Sequence, residues 1–141
     1  MPEHRHQRAL LDASVVIALP EIQTAQLPRE SAVSAITLAE LAAGPHATQD
    51  VEERARRQDR LQRLEATFDP IPFDGAAARA YGRVYAAVVA AGRKAGGRRA
   101  FDLLIAATAL ALGVPVYTLN PGDFEGLGDL VEVVGVRIEQ H

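Results

Sequence analysis

Four acidic residues lie next to apolar segments where a folded chain rarely leaves charge unpaired, and they are the side chains best suited to chemistry. They are Asp12, Glu40, Asp102 and Asp123. Each stands at the end of an apolar strand pattern, in the first turn of a predicted helix, or just after a tight turn. An isolated carboxylate is costly to remove from water, so it normally becomes neutral, pairs with a base or binds a metal. The four acids together therefore indicate a site for a divalent cation.

Asp12 has two interpretations. It follows the apolar pattern Ala9–Leu11 and precedes a short helix, so its carboxylate could accept backbone hydrogen bonds as a helix N-cap. It could also be a metal ligand, and its place at the end of the most apolar strand favours that role. Ser14 could hydrogen-bond the same carboxylate or a substrate phosphate, or it could act as a cap.

Asp102 opens a helix that is apolar on nearly every side, over residues 103–112. Such a helix is expected to be buried all round. An acid in its first turn gains about 0.3–1 kcal/mol from the helix dipole. Because this gain is small beside the cost of desolvating an unpaired charge, a metal-ligand role is favoured.

Glu40 and Asp123 each have a strong structural alternative. Thr37-Leu38-Ala39-Glu40 fits a capping box, and on this motif alone Glu40 would be a cap. Pro121-Gly122 suits a type II turn that would direct Asp123 over the end of the preceding strand, although without the other three acids a routine loop aspartate would be the better account. The other acids make both residues catalytic candidates. Thr118 and Asn120, near the same turn, could orient the carboxylates.

The elements that must position these residues alternate between strand and helix patterns. Strands are predicted over 9–12, 32–36, 71–73, 114–119 and 131–134, and helices from 14 to Pro20 and over 37–43, 49–67, 75–91 and 102–112. This alternation predicts an α/β fold in which a parallel sheet of four or five strands lies between two layers of helices. Ligands of such open sheets bind at the carboxyl ends of the strands, where Asp12 and Asp123 lie.

Length and composition narrow the class of protein. The 141 residues predict one domain over 1–141, and the absence of cysteine excludes disulfides and thiolate-based metal sites. No apolar run approaches the roughly 20 residues of a membrane span, so we expect a cytoplasmic protein without membrane contact. Residues 1–8 are polar and are expected to form a disordered tail. We expect no role for the four histidines, His4, His6, His46 and His141.

Basic residues fall into two groups. The segment 54–63 contains five arginines, and the acids Glu52, Glu53, Asp59 and Glu65 alternate with them at spacings that suit pairing along a solvated helix face. Arg93, Lys94, Arg98 and Arg99 form a second group just ahead of Asp102. No acid stands beside this group, so contact with a phosphate and simple solvation are both open for it.

Four motifs, taken in order, resemble those of PIN-domain ribonucleases and are most similar to the VapC toxins of bacterial toxin–antitoxin modules. They are Leu11-Asp12-Ala13-Ser14, Thr37-Leu38-Ala39-Glu40-Leu41, Phe101-Asp102-Leu103-Leu104-Ile105-Ala106-Ala107 and Thr118-Leu119-Asn120-Pro121-Gly122-Asp123-Phe124. The resemblance covers almost the whole chain. The order and spacing of all four motifs are more specific than any single one.

The resemblance implies a three-layer α/β/α PIN-like domain and an endoribonuclease that depends on Mg²⁺, with Mn²⁺ as a substitute. By motif, Asp12 and Asp102 would be direct metal ligands. Asp123 would complete the site, often through water, and Glu40 would orient or deprotonate the attacking water. The implied partners are an RNA substrate, a second copy of the chain, and a cognate VapB-like antitoxin whose tail enters the acidic groove and which forms a hetero-oligomer with the toxin.

Two other classes compete with this interpretation. A catalytically silent PIN-like module could hold RNA or an antitoxin without cleavage, although the presence of all four acids argues against a degenerate site. A phospho-acceptor receiver domain also gathers acids at strand ends. That class lacks support here, because neither its adjacent acidic pair after the first strand nor its lysine after a late strand is present.

Overall fold

The computed structural model describes residues 5–139 and contains a parallel sheet between two layers of helices. The strands are β1 (Arg8–Leu11), β2 (Glu30–Val33), β3 (Val116–Thr118) and β4 (Val133–Gly135). The helices are α1 (Ala13–Ala18), α2 (Ala35–Ala43), α3 (Val51–Thr67), α4 (Gly75–Ala90) and α5 (Ala100–Leu112). This confirms the predicted three-layer α/β/α class and a four-stranded parallel sheet.

The strand order β2-β1-β3-β4 places the topological switch point of the sheet, where successive connections pass to opposite sides, beside β1. From β1 the chain first moves to β2 on one side and later returns to β3 on the other, with every pair parallel. The crevice between the carboxyl ends of β1 and β3 is therefore the position where open α/β sheets bind ligands. Asp12 comes directly after β1, so the topology alone places it in this crevice.

Alternate residues of β1 point to opposite layers, as the pleat of a strand requires. Leu10 packs with α4 and α5 in one apolar cluster, which includes Val84 and Leu103. Ala9 and Leu11 pack on the other face with α1, α2 and α3. Both faces of the central strand are fully buried, which explains why its sequence is continuously apolar rather than alternating.

Several predicted boundaries were wrong. Strand β2 ends at Val33 rather than at 36, because Ser34 is the N-cap of α2 and the helix begins at Ala35. The strand predicted over 71–73 is reduced to one bridge between Ile71 and Ser34. Strands β3 and β4 are shorter or later than predicted, since Pro115 and the turn at residues 127–130 precede them.

The predicted disorder of residues 1–8 was also wrong for residues 5–8, while residues 1–4 lie outside the described part. Arg5 donates hydrogen bonds to the carbonyls of Leu27 and Pro28. His6 lies within hydrogen-bond distance of the Tyr117 hydroxyl, at 2.9 Å, and of Glu132, at 3.0 Å. These contacts hold the start of the chain against the sheet, so His6 has a structural role that the sequence did not indicate.

Helix α5 is apolar because both the sheet and α4 cover it. Its middle turns are buried, whereas Phe101 and Leu112 at its two ends are exposed, so the expectation of burial all round holds for the centre only. Gly113 ends the helix with a φ of 72°, a left-handed conformation that glycine adopts without strain. Among residues 5–139, none of the helices has the length and apolar character needed to cross a bilayer.

Candidate active site

Asp12 is the most enclosed of the four acids. Its side chain is 5% exposed, and it caps α1 by accepting a hydrogen bond from the Val15 amide at 3.1 Å. The Ser14 hydroxyl donates to the same oxygen at 2.6 Å. Burial raises the pKa of Asp12 above its usual value, although these hydrogen bonds and one from Thr118 act in the opposite direction. Asp12 is therefore a cap whose charged form is costly to bury.

Ser14 also joins two elements. Its hydroxyl oxygen accepts a hydrogen bond from the Leu119 amide at 3.0 Å, just after β3. The Thr118 hydroxyl lies 3.5 Å from Ser14 Oγ and accepts from the Asn120 amide at 3.0 Å. Ser14 and Thr118 thus connect the ends of β1 and β3 behind the Asp12 carboxylate. Asn120 takes part in these contacts through its backbone, and its side chain is exposed.

Glu40 lies in the middle of α2 and faces the same end of the sheet. Burial and the negative charges of Asp102 and Asp12 together raise its pKa from 4.5 to about 7, and burial is the largest cause. The predicted capping box was wrong, because α2 begins at Ala35 and the Ser34 hydroxyl, rather than Thr37, accepts from the backbone of the first turn. Glu40 is therefore one turn too far along the helix to act as a cap.

Asp102 stands in the first turn of α5, and its carboxyl group is coupled electrostatically to other acids of the site. Burial and the charges of Asp123 and Asp12 raise its pKa from 3.8 to about 6, and the charge of Arg99 acts in the opposite direction. Each acid is therefore coupled electrostatically to at least one of the others, although they come from four separate elements. Mutual repulsion of this kind is typical of carboxylates gathered in one site.

Asp123 is exposed on a 3₁₀ turn over Pro121–Phe124. The type II turn predicted here was wrong, since Gly122 does not adopt the positive φ that such a turn needs. Instead the Asp123 amide donates to the Asn120 carbonyl at 3.0 Å. The turn still brings Asp123 close enough to raise the pKa of Asp102.

Arg99 connects the start of α5 to the Asp123 turn. Its guanidinium donates to the carbonyl oxygens of Asp123, at 3.2 Å, and Glu125, at 2.6 Å. Arg93 forms an ion pair with Glu125, an acid that lies far from this basic group in the sequence. The sequence placed Arg99 three residues before Asp102 but gave no sign that it bonds backbone carbonyls.

The other arginine group is part of a solvated helix face, as predicted. On α3, Glu53 pairs with Arg56 and Arg57, both at 2.8 Å, and Asp59 pairs with Arg63 at 3.2 Å.

Comparison with known proteins gives this arrangement a family. The PIN domain family model matches residues 9–128, which include all four acids. The chain belongs to the PIN domain family.

Two relatives cover nearly the whole of this PIN domain. Ribonuclease VapC5 of Mycobacterium tuberculosis (strain ATCC 25618 / H37Rv) is 33% identical over 132 residues, covering 92% of this chain and 94% of that protein. The crystal structure of VapBC-5, a member of the VapBC family of toxin–antitoxin systems from M. tuberculosis, matches with a TM-score of 0.79 at 32% identity. That match covers 92% of this chain and 99% of the other.

A more distant structure has the same architecture. FitAcB from Neisseria gonorrhoeae matches with a TM-score of 0.70 at 25% identity, covering 90% of this chain and 96% of that chain. The predicted family resemblance to VapC toxins is confirmed by these matches.

The donor set of this PIN domain fits a hard divalent cation. Carboxylate oxygens are the ligands that Mg²⁺ prefers, and Mg²⁺ keeps several waters, so one or two protein carboxylates suffice. Glu40 Oε1 is buried without a hydrogen-bond partner, so the described residues do not satisfy every carboxylate oxygen at this end of the sheet. Within residues 5–139, no three acidic or histidine side chains are close enough to enclose an ion by themselves. An ion held here would therefore keep water in its coordination shell.

A groove runs from Glu40 along the surface between α1 and α3. Near Glu40 it is lined by Ala13 and Ile17 of α1 and by Arg57 and Arg60 of α3. A second depression continues from Ile17 and Arg60 over an apolar floor formed by Val16, Leu64 and Phe68. Ile17 and Arg60 border both depressions, so an extended segment lying on the apolar floor would reach Glu40.

Proposed function

We propose that this protein is the toxin of a type II toxin–antitoxin module, and that it is an endoribonuclease that hydrolyses RNA with the help of Mg²⁺. The observation that carries the proposal is the electrostatic coupling of four acids from separate elements near the switch point of the sheet. The raised pKa values of Asp12, Glu40 and Asp102 support it, because they indicate that the described residues offer these three carboxylates too little positive charge to offset their burial. Mn²⁺ is expected to replace Mg²⁺, because it accepts the same oxygen ligands.

Asp12 and Asp102 are the proposed metal ligands, and Asp123 completes the site through water. Asp12 is rigid because α1 and Ser14 fix both its position and its rotamer. Asp123 is exposed and stands on a turn held by Arg99, which suits an outer-sphere contact. Mg²⁺ bound here would neutralise the scissile phosphate and lower the pKa of a bound water.

Glu40 is the proposed base. Its pKa of about 7 lies near the working pH of a cytoplasmic enzyme, which is the condition under which a carboxylate accepts a proton effectively. Its carboxylate would orient the attacking water and take up its proton. Ser14 and Thr118 hold Asp12 in place, and Asn120 fixes the turn that carries Asp123.

The partners follow from the same site. RNA would approach the crevice where Arg99 and the basic segment around it offset the negative charge of the acids. A cognate VapB-like antitoxin would lie in the groove between α1 and α3 and block the acids with its tail. The arginines on the rim of this groove favour a segment with acidic residues beside its apolar anchors. We further propose a homodimer in the cytoplasm and a hetero-oligomer with the antitoxin.

The decisive experiment compares two aspartates that both cap a helix. Asp12 caps α1 and Asp74 caps α4, where it accepts from the Ala77 amide at 3.0 Å. Because asparagine caps nearly as well as aspartate, Asp12→Asn and Asp74→Asn make the same change to a cap. Cleavage of a fluorophore–quencher RNA oligonucleotide would be followed with Mg²⁺ and with EDTA.

We expect cleavage by the wild type in Mg²⁺ only, a loss of at least about 100-fold in Asp12→Asn, and wild-type rates in Asp74→Asn. Cleavage that persists in EDTA, or an active Asp12→Asn protein, would refute the assigned mechanism. RNA binding without any cleavage by the wild type would instead favour the silent binding module.

A further inference from the structure

Two buried polar atoms in α2 are without hydrogen-bond partners. Among the buried side-chain nitrogen and oxygen atoms of the described residues, only Thr37 Oγ1 and Glu40 Oε1 have this property. Buried polar groups are nearly always hydrogen-bonded, either to protein or to ordered water. Because both exceptions lie within one turn of the same helix, a single shared partner explains them more simply than two separate causes.

The position of the two residues supports a shared partner. Thr37 and Glu40 are three residues apart in α2, so their side chains lie on the same side of the helix. Thr37 is fully buried, whereas Glu40 is half-buried and borders the groove beside α1. The Glu40 carboxylate thus has one enclosed oxygen on the same helix face that carries Thr37, and the residue also borders the open groove.

A second buried threonine shows that the absence of a partner is not a general property of threonine in these helices. Thr108 in α5 is 2% exposed, and its hydroxyl donates to the Leu104 carbonyl one turn earlier at 3.0 Å. Thr37 makes no equivalent bond, because the residue four positions before it is Val33 in β2, whose carbonyl accepts from the Ile71 amide instead. Its hydroxyl is therefore left available for a different acceptor.

We infer that Thr37 Oγ1 and Glu40 Oε1 together bind one buried water molecule that fixes the orientation of the Glu40 carboxylate. A water with two to four polar partners is the usual way in which buried groups of this kind are satisfied. The water accepts from the Thr37 hydroxyl and donates to Glu40 Oε1, which leaves the other carboxylate oxygen to act toward the groove. Thr37 is then a positioning residue that acts through the water. This role rests on the proposed function of Glu40 as the base.

The test replaces the hydroxyl by a methyl group of similar size. Thr37→Val removes the bond to the water, Thr37→Ser keeps it, and Thr108→Val makes the same change at an equally buried position outside the site. Steady-state cleavage of the RNA oligonucleotide in Mg²⁺ gives kcat and KM, and thermal unfolding reports folding. A high-resolution crystal structure of the wild-type protein shows whether a water lies within hydrogen-bond distance of both atoms.

We expect Thr37→Val to lose at least about tenfold in kcat, with KM within about twofold of the wild type, because a misoriented base slows chemistry and leaves RNA binding intact. Thr37→Ser and Thr108→Val should keep kcat within about twofold. Wild-type kcat in Thr37→Val, or an equal loss in Thr37→Ser, would overturn the inference.

The crystal structure decides the case in which Thr37→Val fails to fold or the wild type cleaves no RNA. Density for a shared water supports the water site independently of catalysis, and direct bonding of either atom to another protein group overturns it. A wild-type protein that contains the water but cleaves no RNA would refute the proposed function and leave the water site standing.

Discussion

At the scale of single residues, Glu40 shows most clearly that the site is arranged at the expense of stability. Burial and the charges of Asp102 and Asp12 raise its pKa from 4.5 to about 7. The folded protein therefore holds a proton on Glu40 more tightly than the unfolded chain does. Between about pH 4.5 and pH 7 the folded state binds more protons, so its stability falls as the pH rises through this window.

The replacement Glu40→Gln should remove this penalty. We expect the variant to be more stable than the wild type at pH 8 by about 1–2 kcal/mol, a value reduced for the partial exposure of Glu40. The difference should shrink toward zero at pH 4, where both proteins are neutral at this position. Urea unfolding across this pH range measures it, with the exposed Glu65→Gln as the control. A variant that is less stable at pH 8 would show that the charge is not costly.

Asp12 shows how far the residue scale can be predicted from sequence. The pattern left two interpretations open, a helix cap and a metal ligand, because an aspartate between a buried strand and a helix suits both. The structure shows that the cap is real and that the same side chain acts electrostatically on Glu40 and Asp102. The two interpretations are therefore compatible, which a choice between them at the level of sequence could not reveal.

At the scale of elements, local signals failed where two competing signals lay close together. Ser34 and Thr37 are both good caps, and the sequence favoured Thr37 because Glu40 follows it at the right spacing. In the structure Ser34 is the cap. The Ile71 backbone exchanges hydrogen bonds with Val33 and Ala35, the residues on both sides of Ser34, and β2 ends at this point. Ile71 adds only this single bridge, so the segment 71–73, which was predicted to be a full strand, forms only a short extension of the sheet edge.

The junction between α1 and β3 offers a prediction at this scale. Ser14→Ala removes the hydrogen bond to Asp12 and leaves the partly buried Leu119 amide without its acceptor. We expect a loss of about 1–2 kcal/mol in the free energy of unfolding, together with a lower RNA cleavage rate, because Asp12 is then less firmly oriented. Chemical denaturation and the cleavage assay measure both effects. Ser31→Ala in β2 is the control, and unchanged stability in Ser14→Ala would contradict the assigned link.

At the scale of the whole molecule, sequence patterns predicted the class of fold, but they did not predict which acids would be close enough to affect one another's pKa. Alternating strand and helix patterns imply a parallel sheet covered on both faces, and the structure confirms it. Strand order is not encoded in any local pattern, because it depends on which apolar faces pack best once all elements have formed. The order β2-β1-β3-β4 brings the ends of β1 and β3 together across about 105 residues of chain, as the bond between Leu119 and Ser14 records. Family resemblance supplied the expectation of convergence that spacing alone could not.

The stability of the whole molecule should therefore depend on Mg²⁺. A cation that binds only the folded state stabilises it by about 2.7 kcal/mol at a hundredfold excess over Kd, which corresponds to a rise of roughly 5–10 °C in Tm for a chain of this size.

The Asp102→Asn variant should lose most of this rise in Tm. Without metal, however, it should be more stable than the metal-free wild type. Burial and neighbouring charges raise the pKa of Asp102 to about 6, so its ionised carboxylate is costly in the folded protein. Asp50→Asn, a change in the exposed cap of α3, should respond to Mg²⁺ as the wild type does. Scanning calorimetry over a wide range of Mg²⁺ concentrations measures all three proteins. A wild-type Tm that does not change with Mg²⁺ would mean that the four acids tolerate one another without a cation, and the metal site would have to be abandoned.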